Sequence, residues 1–255
     1  MLRYENLSDI SDGHIYQLND SPRLNADGCR GCSKCCESDM GTSIVLDPYD
    51  VFELMKATGK SFDDLLVSFA VEVGMIDGLA LPHLKMDKGC SFLKDGRCSI
   101  HDHRPSICRL FPLGRLYRED GSGFDYILQV NECAKPDRTE VKIDEWLGIP
   151  DIERHSAFIN KWHRFIRSTV KSVADIRERE AIALKLLQER KEAGEEISKS
   201  DIEDAEIRGE QRIKALMMIY LRHLYMEPYD LNEDFYPQFD SKLKMTITNI
   251  RRSKY

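Results

Sequence analysis

The sequence predicts a mainly α-helical fold that carries a small, irregular α+β part rich in cysteine, followed by a C-terminal helical region. Three observations carry this reading. All eight cysteines of the 255-residue chain fall between Cys29 and Cys133. Two capped, amphipathic helix starts stand at Asp47 and Ser61. Beyond Ile149-Pro150, apolar residues recur at helical spacing from Asp151 to Met226, with a single break. The chain therefore divides into a cysteine-cluster part, residues 1–150, and a helical region with an aromatic tail, residues 151–255.

Taken in order, Met1 to Asp27 is a polar lead-in with little periodicity. After the first cysteines, Asp47-Pro48 reads as a helix start, because the Asp side chain accepts from free first-turn amides and Pro suits that turn. Val51, Phe52, Leu54 and Met55 supply an apolar stripe, and Gly59 closes the helix. Ser61 with Asp64 opens a second helix, expected to run through Leu65, Leu66, Phe69 and Val73 to Gly74. From Leu79 to Met86 and from Phe124 to Val130 the pattern turns extended, with Gly121-Ser122-Gly123 as a hairpin turn. Phe158, Trp162, Phe165, Ile166, Val170 and Val173 then mark a long helix from Asp151 to about Glu192. The stretch Ala193-Gly194-Glu195-Glu196 breaks it, and the acidic run from Glu195 to Glu206 reads as solvated surface. A second long helix is expected from Asp201 to Met226, with Ile213, Leu216, Met217, Tyr220 and Leu224 facing inward. Pro228 and Pro237 bracket the tail (Tyr229, Phe235, Tyr236, Phe239), placed to fold back onto the helices.

Composition narrows the function. A hydrophobic fraction of 42% permits an ordinary core, so the cysteines are not there to rescue a scaffold too small to fold. The formal charge of −7 argues against non-specific nucleic-acid binding. The longest apolar runs, such as Ile213 to Leu224, are short and interrupted, here by Lys214, Arg222 and His223, so no membrane span is expected. Met1-Leu2-Arg3-Tyr4-Glu5-Asn6 does not read as a secretory signal, which points to the cytoplasm and to reduced thiols. Adjacent Cys35 and Cys36 also sit poorly in a relaxed disulfide framework.

Reduced cysteines at this density point to metal. The run Cys29-x-x-Cys32-x-x-Cys35-Cys36 turns sulfurs to one side of a tight loop at intervals a single ion or cluster spans. Asp95-Gly96 is a turn signal that brings Cys90 and Cys98 together across a short hairpin. Arg104-Pro105 bends the chain ahead of Cys108, and Cys133 completes the set. All eight are therefore candidate metal ligands. A buried thiolate centre is anionic and needs counter-charge. Of the cations beside the cysteines (Arg30, Lys34, Lys88, Lys94, Arg97, Arg104, Arg109), Arg104 and Arg109 are the candidates for contact with the bound centre. His101 and His103 lie between two cysteines as lesser candidates, whereas His83, His155, His163 and His223 read as ordinary residues. No Ser-His-Asp pattern, His-Glu-x-x-His helix or Walker loop is present, and no residue stands out as catalytic.

These motifs resemble a known family. The Cys-x-x-Cys-x-x-Cys-Cys opening, the Cys-x-Phe-Leu…Gly-x-Cys-x-Ile segment and the Arg-Pro-x-x-Cys-Arg-x-Phe-Pro segment look like the YkgJ-type cysteine-cluster family, from Gly28 to Cys133. The resemblance implies a zinc- or iron-chelating protein or an Fe–S oxidoreductase. A similar cysteine domain occurs in flagellin lysine-N-methylases, so protein-lysine methylation is a further reading, although no methyl-donor signature is visible. Relatives often carry Tyr where this chain has His101. Eight donors exceed what one structural zinc site uses, and repeated Cys-x-x-Cys steps with a remote ligand suit an Fe–S cluster. The expectation is therefore an Fe–S cluster, of the 4Fe–4S type, with an electron-transfer or redox role and a redox or protein partner. The alternative is Zn²⁺ in a zinc-stabilised binding or scaffold module. The donors divide either into two four-thiolate centres, with Cys35 and Cys36 in different ones, or into one centre with further thiols beside it.

Overall fold

The computed structural model describes residues 6–25, 32–39, 43–86, 89–130, 132–133, 135 and 138–253. A short helix α1 (Leu7–Ile10) leads into strands β1 (Ser11–Tyr16) and β2 (Arg23–Asn25). A π-type turn at Cys35–Asp39 precedes β3 (Ser43–Val45), α2 (Pro48–Thr58) and α3 (Phe62–Val67). Next come β4 (Val71–Ile76), β5 (Leu79–Lys85) and the two-residue strands β6 (Leu93–Lys94) and β7 (Arg97–Cys98). A 3-10 turn at His101–His103 leads to α4 (Ser106–Leu110), β8 (Leu113–Tyr117), β9 (Phe124–Gln129), β10 (Thr139–Glu140) and α5 (Ile143–Leu147). Three helices follow: α6 (Ile152–Glu192), α7 (Lys199–Leu221), continued by a π-type turn at Arg222–Met226, and α8 (Phe235–Arg252). The fold is thus mixed α+β, with helix the larger share and the C-terminal region wholly helical.

The two helix starts form as their sequences dictate. In α2 the Asp47 carboxylate accepts from Asp50 N at 2.9 Å and Asp50 answers by accepting from Asp47 N at 3.1 Å. Ser61 and Asp64 repeat the reciprocal pairing at α3. The second helix is shorter than its apolar spacing suggests. It ends at Val67, and the valines beyond it lie in β4. The cause is the Asp77-Gly78 dipeptide, whose backbones take φ of +50° and +81° and close a tight hairpin that commits Val71–Ile76 to pairing with β5. The lead-in also holds unforeseen structure, since β1 pairs with β9 and β2 with β10. Neither strand carries a clear alternation, so the partner strands impose the conformation. The aromatic tail folds back as a third helix, α8.

Among the described residues all the sheets are antiparallel and small: β1-β9-β8, β3-β5-β4 and the pairs β10-β2 and β6-β7. Two apolar cores hold them. The larger joins Leu46, Leu54, Leu65 and Leu84 to Phe158 and Phe165 of α6, Tyr220 and Leu224, and Phe239 of α8. Phe239 is 1% exposed and meets the Phe158 ring edge-on at 4.7 Å between centroids. Tyr220 donates to Ala80 O at 2.6 Å and Tyr225 to Leu46 O at 3.0 Å, pinning the helical region to the strands. The smaller core gathers Leu24, Leu110, Leu113, Tyr126, Ile143 and Leu147. Helix α4 lies at the seam: Leu110 enters the smaller core while Cys108 packs against the larger. Among the described residues, no helix is long and apolar enough to cross a membrane.

Candidate metal centre

Between the two cores opens a cleft of about 980 Å³, lined by Ile44, Leu84, Met86 and Ile100 from the larger core and by Leu24 and Trp146 from the smaller. Cys32, Cys35, Cys36, Cys90, Cys98, Cys108 and Cys133 all line it. Cys29 lies outside the described residues, as do Arg30 and Lys88. Cysteines from the opening run, the central hairpin, α4 and the segment before β10 thus line one cleft.

Short-range backbone order sets each of them. In the opening run, Cys36 N donates to Ser33 O at 2.8 Å, starting the turn that exposes Cys35 and Cys36. Cys36 O in turn accepts from Cys90 N at 2.7 Å. Asp95 and Gly96, at φ of +50° and +71°, form the hairpin turn that sets Cys98 opposite Leu93. Cys108 is the third residue of α4.

The electrostatics of the cleft follow from thiol crowding. Burial, reinforced by the charges of Cys90 and Cys98, pushes the Cys36 thiol up to about 11. Burial likewise raises Cys90, with Cys98 adding to it, and holds Cys108 well above its ordinary value, where Asp50, Cys90, Cys36 and Cys98 all contribute. Cys36, Cys90, Cys98 and Cys108 therefore lie within one another's fields. The raised thiols of Cys36, Cys90 and Cys108 stay protonated until a cation replaces the protons. Lys34, Arg97, Arg104, Lys135 and Asp102 also line the cleft. This donor set suits a soft metal ion or an Fe–S cluster, and the cations suit the negative charge that a thiolate centre carries. The sulfurs share the cleft wall without converging: among the described residues no three His, Cys, Asp or Glu side chains are gathered as a ready ligand set.

The two arginines expected at the centre part company. Arg104 lines the cleft, with one guanidinium nitrogen against the His101 ring nitrogens at 2.8 and 3.0 Å. Burial lowers its pKa and the nearby Arg109 charge lowers it further, whereas Cys108 and Cys98 favour its charged form. Arg109, 8% exposed, does not line the cleft. It donates to the carbonyls of Arg104, Leu147 and Gly148 and, at short range, Asp102, so it ties α4 to the 3-10 turn and to the end of α5. His101 lines the cleft, and burial first, then the Arg104 charge, lowers its pKa. His103 instead pairs with Glu53 of α2 at 2.7 Å.

Sequence reasoning passed over Asp50 and Ser106 and took His155 for an ordinary residue. Asp50, Ser106 and His155 are 2%, 3% and 1% exposed and form a buried polar chain behind α4. Burial holds the Asp50 carboxyl above its ordinary value. The chain is not a hydrolytic triad: the Ser106 hydroxyl donates to the carboxylate rather than to the imidazole, and Ser106 does not line the cysteine cleft. The capping spacing of Asp47 and Asp50 was the available signal; their distant partners have none in sequence.

Residues 28–137 match the family model described as "CxxCxxCC: Putative zinc- or iron-chelating domain". The resemblance drawn from the cysteine motifs holds over that stretch, and it supports binding of zinc or iron. Comparisons with curated proteins and with solved structures found no match.

Proposed function

We propose that this is a cytoplasmic metal protein whose cleft holds an Fe–S cluster, of the 4Fe–4S type, and passes electrons to a redox partner. One observation carries the reading: every described cysteine lines the same cleft, although they come from the opening turn, the β6–β7 hairpin, α4 and the segment before β10. That supply exceeds the four donors of a structural zinc site, which favours iron and sulfide over a lone ion. Cys36, Cys90, Cys98 and Cys108, which share one electrostatic neighbourhood, are the natural four-thiolate set. Side chains of adjacent residues diverge, so Cys35 falls to a second group with the remaining cysteines.

An Fe–S cluster supplies one-electron chemistry when bound. The chain's own residues hold the sulfurs through the Cys36–Cys90 backbone bond and the Asp95-Gly96 turn. Lys34, Arg97, Arg104 and Lys135 offset thiolate charge, which favours a reduced, more negative centre. Ile44, Leu84, Met86 and Trp146 limit water at the cleft wall.

The test is anaerobic purification with iron, acid-labile sulfide and zinc analysis, together with an absorption spectrum. Iron and sulfide in equal amounts with a broad, reducible visible band are expected. Stoichiometric zinc without sulfide replaces the cluster by a zinc-stabilised module in which the metal supplies folding free energy.

A further inference from the structure

We infer that Asp50 and Ser106 are positioning residues that set Cys108 in the wall of the cleft, with Asp50 capping α4 from a distant helix. What Cys108 does there rests on the metal reading above; where Cys108 is held does not.

A five-residue helix has no stability of its own, because nucleation costs more than one turn of bonds returns. Its first amides also need acceptors. Pro105, at the capping position, makes no side-chain cap bond. The acceptor comes instead from α2: Asp50 Oδ1 receives Ser106 N at 2.7 Å and the Ser106 hydroxyl at 2.8 Å. The carboxylate is itself held, since Oδ2 receives Asp47 N at 3.1 Å. Charge-assisted bonds of this kind are about twice as strong as neutral ones, and at this burial water does not replace them. Cys108 follows Ser106 by two residues and lines the cleft.

His155 completes the anchor. Its Nε2 lies 3.3 Å from Ser106 Oγ. The hydroxyl proton is committed to Asp50, so Nε2 carries hydrogen and donates. Nδ1 is buried without a partner, and in this tautomer it is a bare lone pair. An unmet acceptor is tolerated more readily than an unmet N–H.

The experiment uses the full chain with Ser106→Ala, Asp50→Asn and Asp50→Ala. Alkylation of each cysteine is followed by peptide mass in metal-free, reduced protein, and cobalt(II) is then added to read the thiolate-to-metal charge-transfer band. In Ser106→Ala, Cys108 labelling is expected to accelerate about tenfold or more, the loss of one buried charge-assisted bond. Labelling of Cys36, Cys90 and Cys98 stays at the wild-type rate, and the cobalt band weakens. Both Asp50 variants lose the charge that helps hold the Cys108 thiol protonated, so their difference reads the acceptor alone: Asp50→Asn, which keeps an acceptor oxygen, is expected to label Cys108 more slowly than Asp50→Ala. Should Asp50→Ala fail to fold, Ser106→Ala and Asp50→Asn decide the matter. Unchanged Cys108 labelling in Ser106→Ala, or equal acceleration at every cysteine, overturns the inference. Selective release of Cys108 in a protein whose wild type binds no cobalt upholds the positioning and removes the metal reading instead.

Discussion

The main-chain N–H of Cys90 donates to the carbonyl oxygen of Cys36 at 2.7 Å, so two distant parts of the cysteine set are joined by backbone. Such a bond does not depend on the side chain at either position. Serine variants at Cys36 and Cys90 therefore change the sulfur and leave the frame.

Serine at Cys36, Cys90, Cys98 or Cys108 is expected to lower metal affinity by more than about a hundredfold, beyond what loss of a supporting contact costs. Metal content after desalting and competition with a chelator measure it. A variant with wild-type content leaves the ligand set.

Metal uptake is expected to strengthen with pH. The thiols of Cys36, at about 11, and of Cys90 and Cys108, also raised, are protonated near neutrality, so binding expels protons. Each proton released steepens log K by about one unit per pH unit. Titrations at pH 6.5, 7.5 and 8.5 in two buffers of different ionisation enthalpy count the protons. A flat profile contradicts thiolate ligation.

Acid is expected to loosen the fold through His155. Burial, aided by the Arg115 and Arg109 charges, lowers its pKa from 6.5 to about 3. The folded protein keeps the ring neutral, so the unfolded chain binds the extra proton. The stability contributed is complete above pH 6.5 and drains away towards pH 3, at about 1.4 kcal/mol per pH unit. Asp47 and Asp50, raised by burial, act with opposite sign: they favour the fold on the acid side and less so as pH rises. His155→Gln removes only the first effect. Between pH 6.5 and 5, wild type should lose roughly 2–4 °C of melting temperature per kcal/mol more than the variant.

Phe239→Ala is expected to cost about 3–5 kcal/mol, since the ring is buried against Phe158 and Phe235. Tyr220→Phe should cost about 1 kcal/mol, the net worth of the bond to Ala80 O. Denaturant unfolding of both variants checks whether α8 and α7 stabilise the strands.

The sequence was informative where structure is local. Capping boxes at Asp47 and Ser61, the Asp95-Gly96 turn and the break at Gly194 involve residues within a few positions of one another, so residue type alone dictates them. It misled where a partner decides: Val71 and Val73 suit helix spacing and strand alike, and pairing with Leu84 and Pro82 makes them strand. β1 exists because β9 receives it.

The chemistry of the site divides the same way. Cysteine spacing by itself determined that thiols concentrate in one part of the chain and that the donors available there are ones that suit zinc or iron, because ligand type is a property of the side chain. Only the tertiary structure decided which cations face those thiols. Arg104 and Arg109 both lie within four residues of Cys108 in sequence, yet one lines the cleft and the other clamps carbonyls. Likewise, Asp50 reaches Ser106 only because α2 and α4 pack together. Burial and long-range hydrogen bonds depend on how separate segments meet, and that meeting is a property of the whole packed chain.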